Sequence, residues 1–290
     1  MLTRATDTIL RAPRTDSLSL EEMRARLPAI FATEPHESRS DRYVYVSTEA
    51  VLMAMIKEGF APVEARVSRC RDAGRKPFTK HMVRLRHQGD QKNLQVGDTL
   101  LEVFLRNAHD GTAAYELGAG LFKLLCLNGM TVAKEVIASV YVRHSGNEQK
   151  QIDAVVNGAY QIIERAPLAL EAPRVWPTID LIPEEEQAFA EAARVVRFGD
   201  SDGNVDTSVT ASQLLHARRP QDQGSDLWKT FNRVQENSVK GGLGANIRNP
   251  QTGKWRRSHT REVKSIDGDL KLNRALWLLA SEMAKLKQAA

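Results

Sequence analysis

The stretch Pro62-Val-Glu-Ala-Arg-Val-Ser-Arg-Cys70, followed by Phe78-Thr-Lys-His-Met-Val-Arg-Leu-Arg-His87, decides the fold of this chain. Val63, Ala65 and Val67 alternate with Glu64, Arg66 and Ser68, and Val83 and Leu85 alternate with Lys80, Met82, Arg84 and Arg86. Period two is the spacing of a strand with one face turned inward. The segment Arg71-Asp-Ala-Gly-Arg-Lys-Pro77 between them is rich in turn formers, so the whole reads as a β-hairpin. Eight Lys or Arg residues against two acids lie between Glu64 and His87. A half-buried hairpin with one cationic face suits phosphate binding, and it equally suits an ordinary solvated sheet face.

Outward from the hairpin, further elements follow. Ser17 or Ser19 caps a short helix through Leu20, Met23 and Leu27, which Pro28 ends. Tyr43-Val-Tyr-Val46 reads as a strand, and Thr48 caps a helix from Glu49 to Glu58 that Gly59 stops. Thr99 to Asn107 is a strand with Leu101, Val103 and Leu105 inward, and the turn Asn107-Ala-His-Asp-Gly111 returns the chain along Thr112 to Leu117. Leu121 to Cys126 fits helix or strand, and Thr131 to His144 is β-branched enough for another long strand. From Asn147 the period turns helical, with Ile152, Val155, Ala159 and Ile162 on one stripe. Four prolines between Ala166 and Pro183 mark a connector. Helices follow over 184–198, from Ser225 or Asp226 to Val239, and from Asp269 to Lys287, with a basic loop over 240–264. The expected fold is α+β: an antiparallel-sheet core with its basic hairpin over residues 1–165, then a helical C-terminal part with its basic loop over 166–290.

Composition bounds the class. The chain has 290 residues, 42% hydrophobic and 27% charged, which suits a soluble folded protein rather than a disordered one. No apolar run reaches membrane-spanning length, the N-terminus lacks a signal-peptide core, and two cysteines, Cys70 and Cys126, suit a reducing cytoplasm. A net charge of +5 favours anionic partners.

Few residues point to chemistry. His109-Asp110-Gly111 is either an acid–base or metal-ligand pair at a hairpin tip, or a turn made by Asp110 and Gly111. No second cluster at metal-ligand spacing completes such a site, and no phosphate loop, dinucleotide fingerprint or nucleophile elbow is present. No cofactor or metal is expected. Lys254-Trp255-Arg256-Arg257 sets a stacking ring among cations, as single-stranded nucleic acid requires, or docks a tryptophan beneath a solvated loop. Arg39 and Arg42 either contact phosphates or pair with Glu37 and Asp41.

Several runs together resemble a known family. They are His36-Glu-Ser-Arg-Ser-Asp-Arg-Tyr-Val-Tyr-Val46, Glu58-Gly-Phe-Ala-Pro62, Lys80-His-Met-Val-Arg-Leu-Arg86, Asn107-Ala-His-Asp-Gly111, Cys126-Leu-Asn-Gly129, Asp226-Leu-Trp228, Val234-Gln-Glu-Asn237 with Lys240-Gly-Gly242, and Ile266-Asp-Gly268. In this order, over nearly the whole chain, they resemble the phage- and plasmid-borne family called domain of unknown function 932, and within it a short branch from conjugative plasmids and prophages. The family more often has Ser before the His of Asn107-Ala-His-Asp-Gly111, and the resemblance brings no catalytic residues with it. The order of helix, basic hairpin and strand pair is also similar to that of single-strand annealing recombinases. The function these resemblances imply is a mobile-element protein that binds single-stranded DNA and assists annealing, without catalysis. Arg66, Lys80, Arg84 and Arg86 would contact phosphates, with Lys254, Trp255, Arg256 and Arg257 as a second patch. Homo-oligomers and a cytoplasmic, non-membrane setting accompany that reading. The alternative is an anti-restriction or host-modulating factor acting through protein contacts.

Overall fold

The computed structural model describes residues 9–13, 16–40, 43–87, 99–123, 129–131, 140–142, 147–200, 202–205, 208–248 and 251–289. The chain divides into two compact units, one of residues 1–127 and 134–169, the other of residues 128–133 and 170–290. The α+β class, with an antiparallel sheet and a helical C-terminal part, is the one expected.

In the first unit the hairpin strands are β2 (Phe60–Val67) and β3 (His81–His87). Their register sets Glu64 opposite Arg84 and Arg66 opposite Met82, with a bulge between Pro62 and Glu64. Proline has no N–H to give a ladder, so an irregularity there is where it fits. β1 (Ile9–Arg11) covers the outer edge of β2 over 64–66, and Ala12 N–H to the Val63 carbonyl (2.9 Å) and Leu18 N–H to the Pro62 carbonyl (2.7 Å) continue the cover. β4 (Thr99–Asn107) pairs with β3, β5 (Tyr115–Lys123) with β4, and β7 (Val140–Val142) with β5, all antiparallel. The three-residue β6 (Gly129–Thr131) belongs to the second unit. The rest of the long strand expected over 131–144, and Cys126, lie outside the described residues; Leu121 to Lys123 are strand.

One face of this sheet is the apolar core. Val83, Leu85, Leu101, Val103, Leu105, Leu117 and Leu121 are buried on it, beneath α2 (Thr48–Lys57) and α3 (Glu148–Glu164). The N-caps are Ser47, which accepts from Ala50 N–H at 3.1 Å, and Asn147, which accepts from Gln149 and Lys150. The cap of α2 is thus one residue before the expected Thr48, whose hydroxyl is used elsewhere. Tyr43 to Val46 is not a strand, contrary to the expectation. The short helix α1 (Leu20–Arg26) is capped by Ser19, one of the two serines anticipated, and ends before Pro28.

The other face corrects the reading of a half-solvated hairpin. Glu64, Arg66, Arg84, Arg86 and Glu102 are all buried. Glu64 accepts from Arg11 Nε at 2.8 Å, from Arg66 Nε and from Arg84 Nη1 at 3.4 Å. Glu102 of β4 accepts from Arg84 Nε at 2.7 Å and from Arg86 Nη2 at 2.7 Å. Beside them Arg106 pairs with Glu116 at 2.8 Å, and the Tyr141 hydroxyl donates to Glu116 at 3.0 Å. The charges alternate because the register brings acids of β2, β4 and β5 between arginines of β2, β3 and β4. Burial raises the Glu64 carboxyl, but the guanidiniums of Arg84, Arg66 and Arg11 outweigh it and bring the pKa down to about 2.

The second unit is helical. The proline-rich segment expected as a connector is α4 (Ala166–Val175) followed by a turn of 3-10 helix over Trp176–Thr178. Pro167 sits in the first turn, where its missing N–H leaves no helical bond unmade. α5 (Pro183–Phe198), α6 (Ala211–Leu215), α7 (Leu227–Lys240) and α8 (Ile266–Ala289) complete the unit. Trp176, Trp228, Phe231 and Trp277 make its aromatic core, with Trp176 and Trp277 ring centroids 4.7 Å apart. α7 starts at an Asp226 cap and is buried from Leu227 to Val239 at every position but Lys229, so its polar residues need partners inside. Gln235 Nε2 donates to Asn273 at 2.8 Å, Asn237 Nδ2 to the Leu214 and His216 carbonyls at 2.8 Å each, and Arg219 bonds Glu236 and Asp222.

Candidate functional site

Two constellations stand out, one in each unit. In the first, α2, β3 and β4 deliver Thr48, His81, Asn107 and His109 to one fully buried spot. His81 Nδ1 donates to the Thr79 carbonyl at 3.0 Å, which leaves Nε2 as an acceptor, 2.9 Å from the Thr48 hydroxyl. Asn107 Nδ2 donates to Thr48 Oγ1 at 3.1 Å, and His109 Nε2 lies 3.3 Å from it. The Thr48 oxygen therefore gives its one proton to His81 and accepts from Asn107 and His109, which uses its full capacity. Tyr45 packs against His109 with centroids 5.2 Å apart. Burial, which outweighs the Thr79 carbonyl and the charge of Asp110, lowers the His81 pKa to about 4 and keeps the imidazole neutral.

His109-Asp110-Gly111 is a turn with a buried member. Asp110 Oδ1 accepts from Thr112 N–H at 3.0 Å and from the Thr112 hydroxyl at 2.6 Å, and Gly111 has φ +74°. Thr48 is wholly enclosed and its hydroxyl saturated, so this cluster ties α2 to the ends of β3 and β4. No group of three His, Cys, Asp or Glu among the described residues has metal-site geometry.

The second constellation is on the surface. The expected basic loop over 240–264 is a two-stranded ribbon, β8 (Gly244–Arg248) and β9 (Trp255–His259). Asn246 lies opposite Arg257, Gly244 opposite His259 and Ala245 opposite Ser258. Alternation puts Trp255, Arg257 and His259 on one face with Asn246, and Ala245 on the other. Ala245 is buried whereas Trp255, Arg257, His259 and Asn246 are exposed, so the Trp255 face is the outer one; Arg256, on the other face, and Lys254, just before β9, are also exposed. Trp255 is 56% exposed. The ribbon's base is fastened to α7. Gly241, at φ +63°, ends that helix so close to the returning strand that a Cβ would fall 2.7 Å from the Thr260 oxygen. Arg197 donates to the Ser238 carbonyl (2.9 Å) and the Arg261 carbonyl (3.0 Å), Arg218 to Asn237 Oδ1 (2.6 Å) and the Gly241 carbonyl, and Gln213 to the Gly244 carbonyl (2.8 Å).

The anticipated contact residues thus divide sharply. Lys254, Trp255, Arg256 and Arg257 share an exposed ribbon. Arg66, Arg84 and Arg86 are buried in carboxylate pairs, and Lys80 is half-buried just before β3. Glu102 was not singled out from sequence, and Thr48 was read only as a helix cap, although both organise the interior of the first unit. Nor was the ribbon, because its strands carry polar residues on both faces and lack a period-two apolar signal.

The fold and these sites define a two-unit α+β protein with a buried ionic sheet face and an exposed basic ribbon. Residues 35–277 match the family described as Domain of unknown function (DUF932), and the chain belongs to that family. It is 42% identical over 266 residues to the UPF0380 protein YafZ of Escherichia coli strain K12, covering 92% of this chain and 91% of that protein. It is 41% identical to the UPF0380 protein YfjQ of the same strain, with the same coverage. No solved structure matches.

Proposed function

We propose that this chain binds single-stranded nucleic acid through the outer face of the β8–β9 ribbon, as a non-catalytic annealing or protecting factor of a mobile element. The observation that carries the reading is Trp255, more than half exposed, on the same face as the exposed Arg257, in a ribbon fixed at its base. An exposed aromatic ring serves unpaired bases as a stacking platform, and adjacent cations serve the backbone. The mobile-element setting rests on the family resemblance alone. Contact of phosphates with Arg84 or Arg86 remains part of the proposal only if an incoming phosphate displaces Glu102.

Tryptophan emission tests it. The chain has four tryptophans, of which Trp176, Trp228 and Trp277 are buried and Trp255 is not. Titration with a (dT)20 oligonucleotide at low salt is expected to quench the Trp255 contribution, and Trp255→Ala is expected to weaken binding by roughly 5- to 150-fold, equivalent to about 1–3 kcal/mol. Absence of affinity for single strands at low salt overturns the proposal.

A further inference from the structure

The sequence run around Arg39 has a structural counterpart that the ribbon does not use. His36 N–H donates to the His109 carbonyl at 3.0 Å, pinning the His36–Ser40 turn to the His109–Gly111 turn, and Arg39 N–H closes its own turn on the His36 carbonyl at 2.9 Å. The Arg39 side chain then lies against Gly111: a Cβ there would fall 2.9 Å from Arg39 Cδ and 3.1 Å from Cζ. Gly111 is needed twice over, for its positive φ and for this close approach.

This guanidinium differs from the others held within the first unit. Arg11, Arg24, Arg66, Arg84, Arg86 and Arg106 each meet a glutamate. Arg39 is half-buried with no carboxylate partner among the described residues. Its side chain makes one hydrogen bond, Nη2 to Ser38 Oγ at 3.2 Å, and its Nε is screened from solvent with no acceptor. The neighbouring Asp110 directs Oδ1 to Thr112 instead. A partly desolvated cation and an unmet buried donor call for an anion with several acceptor oxygens.

We propose that Arg39, with the Ser38 hydroxyl and the His109–Gly111 turn beneath it, is an oxyanion site that takes a phosphate group. The guanidinium supplies the N–H donors, and the Ser38 hydroxyl, whose own proton goes to His36 Nδ1 at 2.8 Å, accepts from Nη2 and holds the fork in place for an anion. The site belongs to the first unit and stands independently of the ribbon. Its phosphate is either free, as in a small anion, or part of a polynucleotide backbone.

The test is a nuclear magnetic resonance titration of the full chain with inorganic phosphate at constant ionic strength. The probes are the Arg39 Nε–H and Gly111 amide signals. Saturable shifts at both are expected, with at least about tenfold weaker binding in Arg39→Met, the loss of one charge-assisted interaction. Ser38→Ala, which keeps the guanidinium but removes the one hydrogen bond that orients it, is expected to weaken phosphate severalfold and covers the case in which Arg39→Met does not fold. Repeating the titration with (dT)10 present separates the sources. Competition assigns the site to a polynucleotide backbone, and unchanged phosphate affinity assigns it to a small anion. Shifts that do not saturate, or that are equal in wild type and Ser38→Ala, overturn the site. Neither result depends on Trp255.

Discussion

Glu102 is shared by two guanidiniums inside the sheet, so its charge matters more than its size. Glu102→Gln keeps the volume but leaves Arg84 and Arg86 facing each other across a neutral amide. The expected loss is about 3–5 kcal/mol, the cost of breaking a buried pair from one side, measurable by urea unfolding. Charge reversal at Arg84 and Arg86 is expected to unfold the first unit for the same reason, so it does not isolate a binding role. His81 gives a pH signature. Its folded pKa of about 4 lies below its unfolded value of 6.5, so the unfolded chain binds the extra proton between them. Stability from neutral His81 is complete above pH 6.5 and is lost as pH falls, by about 2 kcal/mol between pH 7 and 4.5. Glu64 remains charged and paired over that window, its contribution being lost only from about pH 4.5 down to 2. His81→Gln is expected to flatten the pH dependence of unfolding. At this scale the sequence exposed the arginines but not their partners: Arg84 and Glu102 are 18 residues apart, and only strand register brings them together.

Elements with strong local signals were readable. Ser19, Asp226 and Asn147 cap helices because their side chains satisfy first-turn N–H groups, and the hairpin strands follow from period two. Elements whose stability comes from elsewhere were not. α4 forms despite its prolines, and the β8–β9 ribbon has no apolar face of its own but is held by α7 and arginines. Two outcomes follow for such elements. Phe104 packs on Gly118 across β4 and β5, so that a Cβ at that glycine would fall 2.5 Å from Phe104 Cε1 and the ring must shift, and Gly118→Ala is expected to cost about 1–3 kcal/mol in a thermal melt. If the three ribbon cations Lys254, Arg256 and Arg257 each neutralise one phosphate, their joint replacement by alanine is expected to reduce the salt slope of oligonucleotide binding by about 2, as anisotropy titrations would read.

For the whole molecule, the two units differ in what they report. The first holds His81 and the ionic sheet; the second holds all four tryptophans. On acidification from pH 7 to 4.5 the sheet's circular dichroism is expected to weaken on heating before the buried-tryptophan emission moves. Coincident transitions would indicate that the units unfold as one. No helix among the described residues is long and apolar enough to cross a membrane. The antiparallel sheet followed by helices was legible from sequence because its period changes near Asn147. The segment 128–133, which joins the second unit, carries no such signal.

The edge of β2 has a consequence for the chemistry of the chain as a colloid. It is sealed by three residues of β1 and two further backbone bonds from Ala12 and Leu18. Deleting residues 1–18 removes the whole seal at once and bares the backbone groups of residues 62–66. An uncovered strand rim recruits another strand. That one truncation thus gives each particle a new sticky valence, and truncated preparations are expected to pair through that rim while intact chains do not, as light scattering would read.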